Sequence, residues 1–190
     1  MRKVTVRKFE ELDVPNKVKW INDDRNNQFL HYDIPLNIEK TRKWYFRVRS
    51  LANRYDAVIE CDGVPVGVIG LLNIQDGNAE YYVTLGEPEY KGLGIAKRAS
   101  AILLRYAFCE LKLDEVYLYT EVDNVSAQHL FEKCGFHNQG IRYASALNRG
   151  KMVERYYYTM TVEEYMRNNC LTNRGGYYSV VSTLVSPIAA

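Results

Sequence analysis

A pair of glycines between a predicted strand and a predicted helix is the feature that most constrains this chain of 190 residues. Residues 90–96 read Y-K-G-L-G-I-A, follow a tyrosine-rich β-prone run at 81–85, and lead into a helix-favouring segment at 97–111. Glycines allow a tight turn with outward N–H groups, and the first helical turn adds unpaired donors and a positive dipole end. We therefore expect a socket for phosphate or pyrophosphate here, although two glycines alone also fit an ordinary turn.

Two familiar phosphate-binding motifs are excluded by the residues that follow these glycines. No G-K-[ST] ends the segment, so it is not a Walker loop. The dinucleotide fingerprint G-x-G-x-x-G would need a third glycine where Lys97 stands.

A second segment further along the chain carries a helix with clear start and stop signals. Residues 124–136 read N-V-S-A-Q-H-L-F-E-K-C-G-F and follow a strand-like run at 115–122. Asn124 stands where a helix cap begins, and Gly135 supplies the stop. Apolar residues recur between them at helical steps of three and four, namely Ala127, Leu130, Phe131 and Cys134. The pattern predicts a helix over 126–133.

Together, Y-K-G-L-G-I-A and N-x-x-A-x-x-L-F-E-K-x-G-F resemble the two signatures of the GNAT N-acetyltransferase superfamily, in matching order and separation. The resemblance covers roughly residues 1–165, and the chain is similar to the branches of the superfamily that modify amino sugars, protein N-termini or polyamines. It implies a mixed central sheet flanked by helices, in which two strands splay apart and admit acetyl-CoA. It also implies acetyl transfer to a primary amine by direct attack in a ternary complex.

Length and composition indicate one globular enzyme domain. Hydrophobic residues make up 47% and charged residues 25%, which is ordinary globular usage. A net charge of +2 without long basic runs argues against a nucleic-acid partner. Four scattered cysteines favour reduced, buried thiols and neither disulfide nor zinc. We find no signal peptide and no membrane span, and expect a cytoplasmic protein.

Alternating strand and helix patterns predict an α/β or α+β fold. The Asp62-Gly63 pair is a strong hairpin signal. The GNAT domain is expected at 1–167, followed by a tail at 168–190. Predicted strands lie at 3–9, 55–61, 65–73, 79–85, 115–122, 137–144 and 154–160, and predicted helices at 14–22, 38–50, 97–111, 126–133 and 162–166.

The resemblance assigns the cofactor-binding residues. The backbone amides of 92–96 should hold the pyrophosphate, and the strand edge at 83–85 should pair with the pantetheine arm. Lys91 replaces the usual Arg or Gln and would supply a point charge. Lys133 either approaches a phosphate or is a solvated surface lysine. The full predicted set is Val83, Thr84, Leu85, Lys91, Gly92, Leu93, Gly94, Ile95, Ala96, Asn124, Phe131 and Lys133.

Acetyl transfer needs a group that removes a proton from the amine. We favour Glu80 as this base, although it is also compatible with a solvated carboxylate beside a turn. Glu121 is the runner-up; it alternates with Tyr119, which could hydrogen-bond the substrate or only pack. Phe131 occupies the position where the superfamily often has an acidic tyrosine, so the thiolate leaves unassisted or another group protonates it. His129 is a poor substitute because it points away on an ideal helix.

The acceptor amine should be bound by a polar and aromatic loop at residues 23–35. Arg25, His31 and Tyr32 are the candidate substrate residues, since rings stack on sugars and carboxylates orient ammonium groups. We favour a small amine such as an amino sugar, with a polyamine or a protein N-terminus as alternatives. A non-catalytic module that binds CoA as a sensor also stays open, because Phe131 has no proton to give.

The tail at 168–190 departs from the family pattern. A flexible Arg-Gly-Gly joint at 174–176 precedes a β-prone run at 177–185. We expect it to be disordered or loosely packed, or else to add a strand across a homodimer.

Overall fold

The structure of the protein is a computed structural model that describes residues 2–172, without the side chains of residues 143–146 and 170–172. Within this part of the chain, seven strands form one mixed sheet in the order β1-β2-β3-β4-β5-β7-β6. The strands are β1 Val4–Lys8, β2 Tyr55–Cys61, β3 Val64–Gln75, β4 Asn78–Leu85, β5 Glu115–Glu121, β6 His137–Asn148 and β7 Lys151–Thr161.

The centre of the sheet opens between β4 and β5, which form its parallel pair. Their register has three partners, Asn78↔Glu115, Ala79↔Val116 and Glu80↔Tyr117. Beyond Glu80, β4 continues to Leu85 without pairing to β5, which itself continues to Glu121. The predicted splay is therefore present, and it begins directly after Glu80.

Helices cover both faces of the sheet, and alternate residues of β4 point to opposite faces. Ala79 and Tyr81 join the larger core beneath the helices α4 and α5, whereas Tyr82 packs with the smaller core beneath α1 and α3. The helices are α1 Val14–Asn22, α2 Asp24–Asn27, α3 Ile38–Val48, α4 Ile95–Arg105, α5 Val125–Cys134 and α6 Val162–Thr172.

The local signals in the sequence were accurate where the backbone itself decides the structure. Asp62 and Gly63 both adopt positive φ, 53° and 81°, as a two-residue hairpin of this kind requires. Asn124 accepts a hydrogen bond from the Ala127 amide at 3.2 Å and caps α5 as predicted. Gly135 ends that helix in the left-handed region.

Several predicted boundaries were wrong. The short helix α2 interrupts the segment at 23–35, which the sequence suggested was a loop. The helix predicted at 97–111 begins at Ile95 and ends as a π-helical turn, Tyr106–Glu110. Helix α6 runs to Thr172, so the first residues of the predicted tail are helical; the joint at 174–176 and the β-prone run at 177–185 lie outside the described residues.

The described helices include none that is long and apolar enough to cross a membrane. Residues 2–172 likewise hold no group of three or more His, Cys, Asp or Glu side chains suited to a metal ion. Cys61 is a buried free thiol as predicted, whereas Cys109 and Cys134 are only half-buried.

Candidate active site

The glycine turn before α4 forms an open, concave backbone surface. Gly92 and Gly94 have φ values of 75° and 71°, which side chains other than glycine rarely adopt. A Cβ atom added at either position would meet no atom within 4 Å, so both glycines face open space. The N–H groups in the first turn of α4 have no acceptor within the helix. The predicted socket therefore has the shape and polarity that an anionic diphosphate requires.

A cavity of about 420 Å³ adjoins this turn, between α4 and α5. It contains Lys133, the residue for which the sequence left a phosphate contact open. It also contains Lys97 and Arg98, which sequence reasoning missed although both follow the glycines directly. Three cations in one cavity fit a ligand with several phosphates. The lining residues are Gly94, Lys97, Arg98, Ala101, Leu104, Lys133 and Cys134.

Lys91, which the sequence predicts to supply a point charge to the cofactor, is bonded to the segment around α2 in this structure. Its Nζ donates to Asn26 Oδ1 at 2.6 Å and to the Arg25 carbonyl oxygen at 3.2 Å. Burial lowers the pKa of Lys91, and the charge of Asp23 opposes that shift. In this structure Lys91 ties the glycine turn to the segment around α2.

The predicted pantetheine-binding edge lies where the sheet opens. Val83, Thr84 and Leu85 pair with β3 on one side, and their other side faces the gap towards β5. Strand edges of this kind pair with amide-bearing ligands. Phe131 is 7% exposed and packs its ring against Tyr81 and Tyr158. Phe131 is therefore a core residue, and its predicted contact with the cofactor stays a prediction.

Beside the gap, alternate residues of β4 and β5 point to one face of the sheet, which we call the acceptor face. It carries Glu80 and Tyr82 from β4 and Tyr117, Tyr119 and Glu121 from β5. Parallel register partners share a face, and Glu80 pairs with Tyr117. Rings cluster at its centre: Tyr119 lies 6.0 Å from Tyr117 and 5.2 Å from Tyr157 of β7, measured between ring centroids. Tyr119, predicted to contact substrate, is thus part of a packed tyrosine cluster.

Glu80 lies at the foot of the gap. Its Oε2 accepts a hydrogen bond from Asn73 Nδ2 at 3.0 Å, and the residue is half-buried. The pKa of the adjacent Tyr117 is raised, first by burial and then by the negative charge of Glu80. A carboxylate beside tyrosine rings can attract an ammonium group.

Glu121 lies at the other end of the acceptor face and is only 8% exposed. Its Oε1 accepts a hydrogen bond from Asn148 Nδ2 at 2.5 Å, and His31 Nε2 lies 3.0 Å from the same oxygen. The structure thus joins a predicted base, Glu121, to a predicted substrate residue, His31. Because Glu121 is buried and already bonded, it is a poor direct base. Asn148 was missed, since the sequence shows only that it belongs to a turn.

The segment around α2, residues 23–35, is tied to the site by the turn between β6 and β7. Arg149 donates to the side-chain and backbone oxygens of Asn27, and Asn148 Nδ2 donates to the Gln28 carbonyl oxygen at 3.3 Å. Arg25, by contrast, is exposed and forms an ion pair with Asp23. Tyr32 is 37% exposed, with the Lys17 ammonium 5.7 Å from its ring centroid. Two of the three predicted substrate residues contact another predicted site residue: the His31 side chain lies beside Glu121, and the Arg25 backbone carbonyl accepts from Lys91.

The model of the acetyltransferase (GNAT) domain family matches residues 3–137. The spermidine N(1)-acetyltransferase of Vibrio cholerae is 28% identical over 141 residues, which cover 72% of this chain and 80% of that enzyme. The enzyme of the same name from Escherichia coli (strain K12) is 36% identical over 85 residues, 44% of this chain; the match spans less than half, 45%, of that enzyme's length.

A crystal structure of spermidine N-acetyltransferase from Vibrio cholerae in complex with CoA and spermine has the same fold. Its TM-score is 0.79 at 23% identity, and the match covers 86% of this chain and 98% of that one. The family match, the splayed strands and the glycine turn agree on a fold and a cosubstrate, acetyl-CoA. This chain belongs to the GNAT acetyltransferase domain family, a family of acyltransferase enzymes.

Proposed function

We propose that this protein transfers the acetyl group of acetyl-CoA to a primary amine of a polyamine. The observation that carries the proposal is the gap between β4 and β5, which separates two chemically different surfaces. One side presents backbone N–H groups and three cations suited to CoA. The other side presents Glu80 and tyrosine rings suited to an ammonium group.

The choice of a polyamine over the amino sugar favoured from the sequence rests on two supports. The Vibrio cholerae and Escherichia coli relatives are named for spermidine. The acceptor face also has several carboxylates for more than one ammonium group, since Asp76 and Glu115 line a cavity of about 260 Å³ that adjoins the foot of the gap. Tyr117, the register partner of Glu80, lines the same cavity.

The chemistry follows from the groups at the gap. Glu80 would hold the acceptor ammonium, and a backbone N–H of β4 near 83–85 would stabilise the oxyanion of the tetrahedral intermediate. Phe131 cannot donate a proton, so the CoA thiolate would leave without an acid from this position. A thiol with an ordinary pKa of about 8.5 makes this departure feasible at neutral pH.

The test is acetyl-CoA turnover with a panel of spermidine, glucosamine and a short peptide with a free N-terminus. Thiol release and product mass are measured together. We expect acetylated spermidine at the highest kcat/KM. For Glu80→Gln we expect a loss of about 10- to 150-fold in kcat/KM, because a charged contact to the ammonium worth about 1.5 to 3 kcal/mol is removed. Turnover of glucosamine or the peptide alone would contradict the polyamine proposal. CoA binding without turnover of any amine would instead support a non-catalytic module.

A further inference from the structure

The His31 imidazole lies beside Glu121, a buried carboxylate that is itself held by Asn148. Asn148 Nδ2 donates a hydrogen bond to Glu121 Oε1 at 2.5 Å, and His31 Nε2 lies 3.0 Å from the same oxygen. Glu121 is buried, whereas the His31 side chain is 30% exposed. The imidazole therefore bridges a buried carboxylate and the solvent-accessible side of the site.

The contact with Glu121 decides which ring nitrogen carries the proton. A carboxylate oxygen cannot donate, so the 3.0 Å approach of Nε2 to Glu121 favours the proton of the neutral ring on that nitrogen. Nδ1 then carries a lone pair, and none of the described side chains or backbone groups of residues 2–172 hydrogen-bonds to it. A base that is oriented by a second group, itself oriented by a third, is a recurrent arrangement in acyl transfer.

The position of His31 along the gap fits a role in the reaction. Glu121 lies four residues beyond Tyr117 along β5, where the two strands no longer pair, and Tyr117 is the register partner of Glu80. At about 3.3 Å per residue, Tyr119 stands about 6 to 7 Å along β5 from both the Glu80–Tyr117 pair and Glu121. An amine held by Glu80 at this level would have a base on its opposite side.

Charged side chains surround His31, Glu121 and Asn148, but they do not take part in the contacts among these three residues. Arg155 of β7 is the register partner of Glu121, and its guanidinium lies 4.7 Å from the Tyr119 ring centroid. Arg149 bonds to Asn27, and Lys91 bonds to Asn26 and Arg25. Acidic neighbours in the same segment are Asp23, paired with Arg25, and Asp24, which accepts from Asn27.

From this geometry we infer that His31, oriented by Glu121 and Asn148, takes the proton from the acceptor amine, directly or through one water. This inference rests on the proposed acetyl transfer and assigns its base. Nδ1 of the neutral imidazole accepts one proton from the acceptor ammonium. The lone pair of the resulting amine nitrogen then forms a C–N bond to the thioester carbon. The C–S bond breaks, the second nitrogen-bound proton goes to the departing thiolate, and His31 returns its proton to solvent.

The experiment compares kcat as a function of pH, from about pH 5.5 to about 9, for the wild type and three variants. In His31→Gln we expect kcat at neutral pH to fall by about 30-fold or more, and the rise of kcat on the acidic side to disappear. In Glu121→Gln we expect a smaller fall, of about 5- to 10-fold, with the acidic rise retained, because the imidazole keeps its lone pair but loses the carboxylate that orients it. His129→Gln, on the exposed side of α5, is the matched control and should leave the profile unchanged.

CoA affinity, measured by calorimetry, should be the same in all four proteins and shows that the variants are folded. If His31→Gln keeps the acidic rise and its kcat stays within about twofold of the wild type, the inference is wrong while acetyl transfer stands. If Glu80→Gln abolishes the acidic rise and His31→Gln does not, Glu80 is the base. If the wild type acetylates no amine, the proposed function fails and this inference with it.

Discussion

The two sides of the gap between β4 and β5 are built in different ways. The cofactor side is made from short contiguous segments, the glycine turn with the start of α4 and the end of α5, and much of its surface is backbone. The acceptor side is made from side chains that are distant in sequence: His31, Glu121 and Asn148 converge from three separate elements. A site built from the backbone of one segment can be recognised from sequence, whereas convergent side chains cannot.

The largest expected effect is the loss of CoA affinity in Gly94→Ala, which tests the cofactor side of the gap. Gly94→Ala adds a methyl group to the concave backbone surface and forces alanine into a φ of 71°. The backbone strain should cost about 1 kcal/mol of folding stability. The methyl group should also keep a diphosphate away from the N–H groups, and we expect CoA affinity to fall by about 30-fold, or about 2 kcal/mol. Calorimetric titration of CoA measures the effect.

Gly63→Ala is the matched control for this prediction. Gly63 also has positive φ, 81°, and an added methyl group there would meet open space, but it lies in the β2–β3 hairpin. The two variants should lose similar stability, and Gly94→Ala alone should lose affinity. Equal CoA affinity in both variants would show that the glycine turn does not bind the diphosphate.

This contrast also explains what the sequence could and could not predict. The glycine turn, the Asn124 cap and the Asp62-Gly63 hairpin depend on local backbone chemistry, and all three are present. The contacts of Lys91 could not be predicted because its partners, around Asn26, lie some 65 residues away in the chain. Asn148 is separated by 27 residues from Glu121, and nothing local signals that contact. Tertiary convergence of side chains leaves no periodic pattern to read.

A second prediction concerns Lys17, which is buried beneath the acceptor side. Its Nζ lies 3.6 Å from the Trp44 ring centroid and 5.7 Å from that of Phe9. Burial lowers the pKa of Lys17 from 10.5 to about 8, against the attraction of Asp56. Such a shift costs on the order of 3 kcal/mol when the amine is charged, and the ring contacts return about 1 to 2 kcal/mol. Lys17→Met should therefore raise the free energy of unfolding at pH 7 by about 1 to 2 kcal/mol.

The stability difference between the wild type and Lys17→Met should depend on pH, because the pKa of Lys17 differs between the folded and unfolded chain. Between the folded pKa of about 8 and the unfolded value of 10.5, the unfolded chain binds more protons at Lys17, so wild-type stability rises with pH in that window. The advantage of Lys17→Met should shrink as pH rises from 8 towards 10.5. Denaturant unfolding at several pH values measures it, with the exposed Lys43→Met as control. A variant that is less stable at pH 7, or an advantage independent of pH, would contradict it.

The smallest expected effect is that of Lys133→Gln on CoA affinity. Lys133 is exposed, so water weakens its interactions. CoA carries a phosphate on its ribose besides the diphosphate, and the cavity with Lys133, Lys97 and Arg98 is the cationic site beside the glycine turn. Lys133→Gln should weaken CoA binding by about 5-fold, or about 1 kcal/mol, and the difference should shrink as salt is added. With 3′-dephospho-CoA the difference should vanish, while Lys40→Gln on α3 changes neither affinity. An equal loss of affinity with both ligands would show that Lys133 contacts the diphosphate and not the ribose phosphate. The diphosphate would then be bound by Lys133 as well as by the backbone N–H groups of the glycine turn.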